Sequence, residues 1–273
     1  MTADRARRWR PSMLLGASAG LHVGAGVALA LAPSGWPMIA ATVMANHAVL
    51  TAAGLLPRCG LLGPVLTRLT GYGTEGRVAL TFDDGPDPRI TPAVLDLLEA
   101  HGARATFFCV GQRVEANPGL AREIRDRGHG VENHSHRHSN GFAFLGPRRL
   151  RREILRGADA IEEAVGRRPT LFRAPAGIRN LWLDPVLARL GLGLVAWTRR
   201  GFDTVSRDPG RVAARLLAGL EAGDILLLHD GSPARDLGGR PVVLSALPTV
   251  LDAFARHELR SVPLDEAHCS MAG

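Results

Sequence analysis

The segment Arg77–Pro86, with the sequence RVALTFDDGP, joins an apolar run to two consecutive carboxylates and a Gly-Pro pair. Val78–Phe82 is predicted to be a buried strand, because its residues are apolar or β-branched and a turn signal follows them. Asp83 and Asp84 would then lie at the carboxyl end of that strand. An isolated DDGP sequence is usually a turn or a helix cap. Two adjacent acids delivered by a buried strand can instead serve as a metal ligand and a base.

Strands and helices alternate along the rest of the chain. One amphipathic helix is predicted to begin at Thr91-Pro92, with Thr91 as its cap, and another covers Arg148–Val165. This alternation predicts a parallel α/β sheet, open or closed into a barrel. The further predicted strands are Thr106–Val110, Thr170–Phe172, Leu194–Trp197, Ile225–Leu228 and Arg260–Leu264, with Gly130–Glu132 as a weaker candidate.

Titratable side chains follow five of these strands. Reactive residues gather at the carboxyl ends of strands in parallel α/β folds, and five such coincidences in one chain would be hard to produce by chance. They are Asp83 with Asp84, His134 with His136 and His138, Arg173, Asp203, and His229 with Asp230.

The histidines His134 and His138 are four residues apart, a spacing that brings two imidazoles onto one helical face or into one tight loop. Such a pair alone means little, but with a carboxylate it becomes a His₂Asp metal site with an open position for water. His136 points elsewhere in either geometry and is predicted to be a surface histidine. Arg173 could hold a carboxylate through a bidentate contact or form an ordinary surface ion pair. His229 could be a core histidine or a general acid.

In this order the segments resemble the motifs of the polysaccharide deacetylase (NodB-homology) family. Thr81–Pro86 is similar to its TFDDGP motif, His134–His138 to H[ST]xxH, Arg173–Gly177 to RxPxG, and Ile225–His229 to the late strand that ends in Leu-x-His. The resemblance covers about residues 77–264 and implies a distorted (β/α) barrel.

The resemblance also implies a divalent metal, commonly zinc, and a role for each site residue. A bound zinc would lower the pKa of its water to ~7, as amide hydrolysis at neutral pH requires. By that resemblance the metal ligands are Asp84, His134 and His138. Asp83 is the general base, Arg173 orients Asp83, and His229 protonates the leaving amine. The resemblance also implies that the backbone N–H of Ala176 helps to hold the oxyanion and that Asp203 is the best match for the acid that tunes the catalytic histidine.

Two positions depart from the family pattern. Ala176 stands where the family usually has an aromatic residue, so a ring that could stack on a sugar is lost. Arg200 occupies the first acidic position of the fourth motif, and Thr204 stands where a tryptophan is usual. Both departures bear on the substrate more than on the chemistry.

Residues 1–57 are predicted to be a membrane segment, followed by a linker at 58–76 and a catalytic domain at 77–273. No charged residue occurs from Pro11 to Pro57, and transmembrane helices are predicted at about 11–32 and 38–56. A secretory signal peptide and a hairpin that lies shallowly in the interface are the alternatives. Gly16, Gly20 and Gly24 would let the two helices pack closely.

Arginines flank the apolar hairpin, whereas its central turn carries no charge. Arg5, Arg7, Arg8 and Arg10 precede it, and Arg58 and Arg68 follow it. The positive-inside rule therefore predicts a bacterial inner-membrane protein with its catalytic domain in the cytoplasm. There the enzyme would meet lipid-linked or precursor saccharides. His22 and His47 are expected at similar depth and could hydrogen-bond.

Composition excludes several kinds of site. All 33 basic residues are arginine, since the chain contains no lysine, which excludes Schiff-base and P-loop lysines. The net charge is +7, but the arginines are scattered and no nucleic-acid motif is present, so no nucleic-acid partner is predicted. The three cysteines, Cys59, Cys109 and Cys269, show no paired spacing and predict no disulfide framework.

The predicted function is removal of an acyl group, expected to be acetyl, from an N-acylated amino sugar in a polysaccharide or lipid-linked saccharide. This is metal-dependent hydrolysis of a carbon–nitrogen bond outside peptides. An O-acetyl esterase could use the same site. A non-catalytic carbohydrate-binding membrane protein on the same fold is a further alternative, although every motif residue that catalysis would need is present.

Overall fold

A curled sheet of eight parallel strands carries the residues of the predicted motifs. The computed structural model describes residues 8–70 and 74–264; Arg5, Arg7 and Cys269 lie outside them. The strand order is β5-β4-β3-β2-β1-β7-β6, and β8 pairs with β1. The strands are β1 (Arg77–Asp83), β2 (Ala105–Cys109), β3 (Gly130–Asn133), β4 (Leu171–Phe172), β5 (Gly193–Leu194), β6 (Arg199–Arg200), β7 (Ile225–His229) and β8 (Arg260–Ser261).

Nine helices accompany this sheet in the described part of the chain. The face of the Arg148–Val165 segment that was predicted to be apolar is buried, from Leu150 to Val165. The helices are α1 (Met13–Leu31), α2 (Trp36–Leu55), α3 (Thr91–Ala100), α4 (Gly111–Ala116), α5 (Pro118–Asp126), α6 (Pro147–Val165), α7 (Leu183–Leu190), α8 (Pro209–Leu217) and α9 (Val242–Arg256).

Strand β1 is the centre of the sheet and sets the position of the first motif. Its residues after Arg77 are all buried, as expected for a strand with neighbours on both sides. Its parallel register places Asp83 beside Phe108 of β2 and His229 of β7. The carboxylate of the first motif and the histidine of the last are therefore neighbours in space.

The sheet forms an incompletely closed barrel, which confirms the predicted distorted (β/α) fold. At the open edge, Leu66 forms a parallel bridge to Val195, and Arg68 forms an antiparallel bridge to Asp224. Leu69 is buried with the core residues of this edge. The segment predicted as a linker is thus packed against the sheet along residues 65–69.

Two local predictions differ from the structure, and one strand was not predicted. The predicted strand Leu194–Trp197 is interrupted, because β5 ends at Leu194 and the sheet resumes only at β6. Strand β6 is the pair Arg199–Arg200, which has no apolar signal because both side chains are only half-buried. Thr91 is the first residue of α3 and does not cap it, since its hydroxyl accepts from the Asp87 N–H and donates to Asp230.

Helices α1 and α2 form the predicted apolar hairpin, and each is long and apolar enough to cross a membrane. The predicted polar contact between them is confirmed: His22 Nε2 lies 3.3 Å from His47 Nε2. Asn46 also donates to the Ser18 hydroxyl at 2.9 Å.

The prediction that the hairpin packs through its glycines is wrong. A Cβ added at Gly16, Gly20 or Gly24 would meet no atom within 4 Å. Helix α1 instead faces α2 through Ser18 and His22. These lie two positions along from the glycines, which is about 200° around an α-helix.

Candidate active site

Three potential metal ligands converge at the carboxyl edge of the sheet. One donor atom each from Asp84, His134 and His138 lies within 4.8 Å of the other two. Asp84 Oδ1 is 3.4 Å from His134 Nε2 and 3.1 Å from His138 Nε2. This Oδ1 atom is buried and has no hydrogen-bond partner among the described residues. A buried, unpartnered carboxylate oxygen between two imidazole nitrogens fits a divalent cation such as zinc.

The loops that present these ligands have unusual backbone conformations. Asp84, Ser135 and His138 have φ values of 73°, 65° and 50°. Non-glycine residues rarely adopt this left-handed region, and such strain clusters at functional sites. The Asn133 carboxamide oxygen accepts the Ser135 N–H at 2.9 Å, and the Ser135 hydroxyl accepts the His138 N–H at 3.1 Å. These bonds compensate for the strained turn.

A contact between the second and third motifs sets the orientation of His134. Its Nδ1 lies 2.8 Å from the backbone oxygen of Arg173. A carbonyl oxygen only accepts, so Nδ1 carries the hydrogen and Nε2 presents its lone pair towards Asp84. Metal-binding histidines are commonly oriented in this way by a hydrogen bond from their other ring nitrogen to a backbone carbonyl.

The charges of the three ligands suit a cation. Burial opposes ionisation of Asp84, but the positive charge that the neighbouring His134 and His138 carry when protonated holds the pKa of Asp84 well below the usual range. Burial and the neighbouring His134 lower the pKa of His138. For His134, burial is outweighed by Asp83 and Asp84, so its pKa is raised. The raised pKa favours a second proton on the His134 ring, and a bound cation would take the place of that proton.

Asp83 is held by Arg173 from the side away from the ligands. Arg173 is fully buried, and its NH1 donates to Asp83 Oδ1 at 2.7 Å and to the Thr81 hydroxyl at 2.8 Å. Burial lowers the pKa of Arg173, although Asp83 opposes the shift. The predicted bidentate contact is therefore replaced by a single nitrogen. Asp83 Oδ2 faces the ligands, 3.8 Å from His134 Nε2.

His229 and Asp203 form a second buried pair next to Asp83. His229 Nδ1 lies 2.8 Å from Asp203 Oδ1, and the His229 backbone N–H donates to Asp203 Oδ2 at 2.7 Å. Burial lowers the pKa of His229, but the hydrogen bond and charge of Asp203 outweigh it, so the pKa is raised. Because Nδ1 is occupied, Nε2 is the nitrogen available to a substrate.

Ala176 lies in a short turn after β4 with φ of 56°. Within the part of the chain that the structure describes, its backbone N–H has no hydrogen-bond partner.

The guanidinium of Arg200 lies 5.4 Å from the Trp197 ring centroid and 5.0 Å from that of Phe202. Arg200 therefore contacts aromatic rings instead of replacing an acid beside His229.

The prediction that His136 is a surface residue is wrong. Its ring is buried, and Nε2 lies 2.9 Å from Glu115 Oε1. The turn between His134 and His138 folds against α4, where the Gln112 N–H donates to the His136 backbone oxygen. This packing directs the ring away from the other two histidines.

Sequence analysis placed Asp230 at a strand end but assigned it no role, and the structure shows that this side chain is fully buried. Its carboxylate accepts a hydrogen bond from the Thr91 hydroxyl at 2.6 Å, and its backbone N–H donates to the backbone oxygen of Asp83 at 3.2 Å. Burial raises its pKa to about 7, and the charge of Asp84 contributes. A Cβ at Gly85 would collide with this carboxylate. The acid next to His229 was visible in the sequence, but its partner Thr91 is 139 residues away.

Comparison with known proteins agrees with this geometry. Residues 70–195 match the family model described as polysaccharide deacetylase. A peptidoglycan-N-acetylglucosamine deacetylase from Bacillus cereus is 35% identical over 205 residues, which cover 72% of this chain and 93% of that protein. A chitooligosaccharide deacetylase from Bradyrhizobium is 36% identical over 70% of this chain and 90% of its own. The solved family 4 carbohydrate esterase from Streptomyces lividans has 36% identity and a TM-score of 0.62, covering 68% of this chain and 91% of that one.

Proposed function

The chain belongs to the polysaccharide deacetylase family and is a hydrolase of carbon–nitrogen bonds outside peptides, and we propose that it removes the acetyl group of an N-acetylated amino sugar with Asp83 as base and His229 as acid. The observation that carries this proposal is the placement of Asp83 between the Asp84-His134-His138 cluster and His229. The relatives named above act on N-acetylglucosamine of peptidoglycan or on chitooligosaccharides.

Asp84, His134 and His138 are the residues that would hold a divalent metal. A cation bound there would acidify a water molecule to a pKa of ~7 and polarise the acetyl carbonyl. The carbonyl contact at His134 Nδ1 and the unpartnered Asp84 oxygen support this assignment. Zinc suits the two nitrogen donors and one oxygen donor.

Asp83 is suited to take the proton of the attacking water. Arg173 occupies its Oδ1, which leaves Oδ2 facing the donor cluster. The fully buried guanidinium also keeps the carboxylate from rotating, because it is itself held by Thr81 and the Ala196 oxygen. General-base catalysis by such a group typically contributes ~10²–10⁴-fold.

His229 is suited to protonate the leaving nitrogen. An amine leaves poorly unless it is protonated, and the raised pKa of His229 favours the imidazolium that can supply the proton. The free N–H of Ala176 can donate to the oxygen that becomes charged during attack. An ester needs the acid less, so the buried His229-Asp203 pair favours an amide substrate over an O-acetyl ester.

We also propose that residues 1–57 anchor the enzyme in the bacterial inner membrane, with 58–76 as linker and 77–273 as catalytic domain facing the cytoplasm. The two long apolar helices and the flanking arginines support this arrangement. A cytoplasmic site would meet a saccharide on its lipid carrier rather than a finished wall polymer. Alkaline phosphatase fused after Gly273 should be inactive, whereas a fluorescent protein there should be bright. An active phosphatase fusion would reverse this orientation.

Acetate release from chitin oligosaccharides tests the proposed activity. The full-length protein, loaded with zinc in detergent or nanodiscs, should release acetate from tetra-N-acetylchitotetraose and should lose activity when the metal is chelated. Release of acetate only from O-acetylated sugars would favour the esterase alternative. Failure on both substrate classes would favour a binding protein.

A further inference from the structure

A cavity of about 300 Å³ lies between the hairpin and the candidate active site. Helix α2 forms one wall through Leu50, Thr51 and Leu55. At its catalytic end the cavity reaches the candidate ligand His138 and the turn residue Ala176. The cavity therefore extends from a helix long enough to cross a membrane to the site of chemistry.

The foot of the hairpin is fixed to the catalytic domain beside this cavity. The Arg179 N–H donates to the Gly54 oxygen at 3.0 Å, and a Cβ at Gly54 would collide with the Arg179 carbonyl. Before the first helix of the hairpin, Trp9 Nε1 donates to Asp184 at 2.8 Å, and the Ser12 hydroxyl donates to the backbone oxygen of Leu61 at 2.6 Å. Both ends of the hairpin thus hold the catalytic opening at the level where the hairpin would leave the bilayer.

Apolar residues of the catalytic domain also line the cavity. Phe142, Ala143 and Phe144 line it, and Phe144 is 91% exposed. On the hairpin side, Leu55 is 56% exposed. An exposed phenylalanine and an exposed leucine that line the same cavity form a surface suited to binding apolar groups. Ala176 leaves open the space that an aromatic ring would reduce.

We propose that this cavity binds the hydrocarbon chain of a glycolipid whose N-acetylated sugar enters the active site. This inference rests on the proposed deacetylase function and specifies its substrate class. The cavity runs from apolar residues of α2 to His138, which argues for a chain that arrives from the bilayer. A water-soluble oligosaccharide would leave the apolar walls exposed.

Alkyl β-glycosides of N-acetylglucosamine with one to eight carbons test this proposal. With the full-length protein in nanodiscs, kcat/KM for acetate release should rise as the alkyl chain lengthens. Each methylene that becomes fully buried is worth up to about fourfold, and the gain should stop once the cavity is filled. A kcat/KM that does not depend on chain length would overturn the proposal.

Two substitutions fill the cavity from opposite walls, and a third is their control. Thr51→Trp from α2 and Ala143→Trp from the other wall should each lower the octyl-to-methyl ratio of kcat/KM by more than tenfold. Ala52→Trp places the same ring on the next residue of α2, which is exposed and does not line the cavity, and should keep the ratio.

The outcomes separate this proposal from the function on which it rests. If the unchanged protein shows the octyl preference and both filling variants retain it, the preference comes from partition into the bilayer and the cavity assignment is wrong. If the unchanged protein deacetylates none of the glycosides or chitin oligosaccharides, the proposed function itself fails. Activity on the methyl glycoside shows that each variant is folded.

Discussion

Replacing Asp203 with asparagine should shift the basic limb of the pH profile to lower pH. Asp203 contacts His229 twice, through Nδ1 at 2.8 Å and through the backbone N–H at 2.7 Å. Asparagine preserves the shape but removes the charge, and its amide group cannot accept a hydrogen bond at both positions. The neutral side chain therefore stabilises the imidazolium less.

The size of the shift follows from the contact that is lost. A hydrogen bond to a charged group contributes about 1.5–3 kcal/mol, and one pKa unit corresponds to about 1.36 kcal/mol. The pKa of His229 should therefore fall by roughly 1–2 units. With His229 in its proposed role as an acid, activity is present below the pKa of His229 and is lost as the pH rises through that pKa. A lower pKa moves that loss to lower pH.

The measurement is kcat/KM for acetate release between pH 5 and 10 with a fixed concentration of zinc. Below the basic limb the Asp203→Asn protein should lose little activity, whereas above it kcat/KM should fall by about 10–100-fold, since the protonated fraction drops by a factor of ten for each unit. Asp208→Asn is the control, because Asp208 caps α8, does not touch His229, and asparagine caps as well as aspartate. An unshifted basic limb in Asp203→Asn would refute the acid role of His229.

Three further predictions follow from the same geometry. Asp84→Ala, His134→Ala and His138→Ala should each lose zinc and activity, as measured by metal analysis, because a three-ligand site cannot spare one ligand; His136→Gln should keep zinc but lower the Tm, since His136 is buried and bonded to Glu115. His229→Ala should reduce turnover of an N-acetyl sugar more than that of an O-acetyl sugar, and equal losses would argue against a leaving-group acid. Cysteines placed at 22 and 47 should cross-link in membranes, because His22 and His47 are in contact, and no cross-link would place the two helices apart.

The sequence was sufficient to predict where β1, β3, β4 and β7 end and which motif residues follow them. A short apolar run followed at once by acids or histidines is a pattern that lies within ten residues, as in Val78–Asp84, and can be recognised in the sequence alone. The order of these segments along the chain supported a parallel sheet, and adjacency in that sheet brings Asp83 beside His229.

Contacts between distant segments could not be predicted in the same way. Nothing near His136 in the sequence shows that its ring packs against Glu115 of α4, and nothing near Gly54 shows that it fits against Arg179. The hairpin glycines formed a regular row, but only the opposing helix determines which row faces inward. Strand β6 consists of two arginines, so no apolar run marks it in the sequence, and only its pairing with β7 identifies it as a strand.

Asp83→Asn tests the central claim most directly, with zinc content and acetate release from tetra-N-acetylchitotetraose measured on the same preparation. The change leaves the three proposed metal ligands intact and removes only the group assigned to take the proton from water. We expect full zinc occupancy with turnover reduced by ~10²–10⁴-fold. Unreduced turnover would contradict the assignment of Asp83 as the base, and acetate release by neither the unchanged protein nor the variant would contradict the deacetylase function.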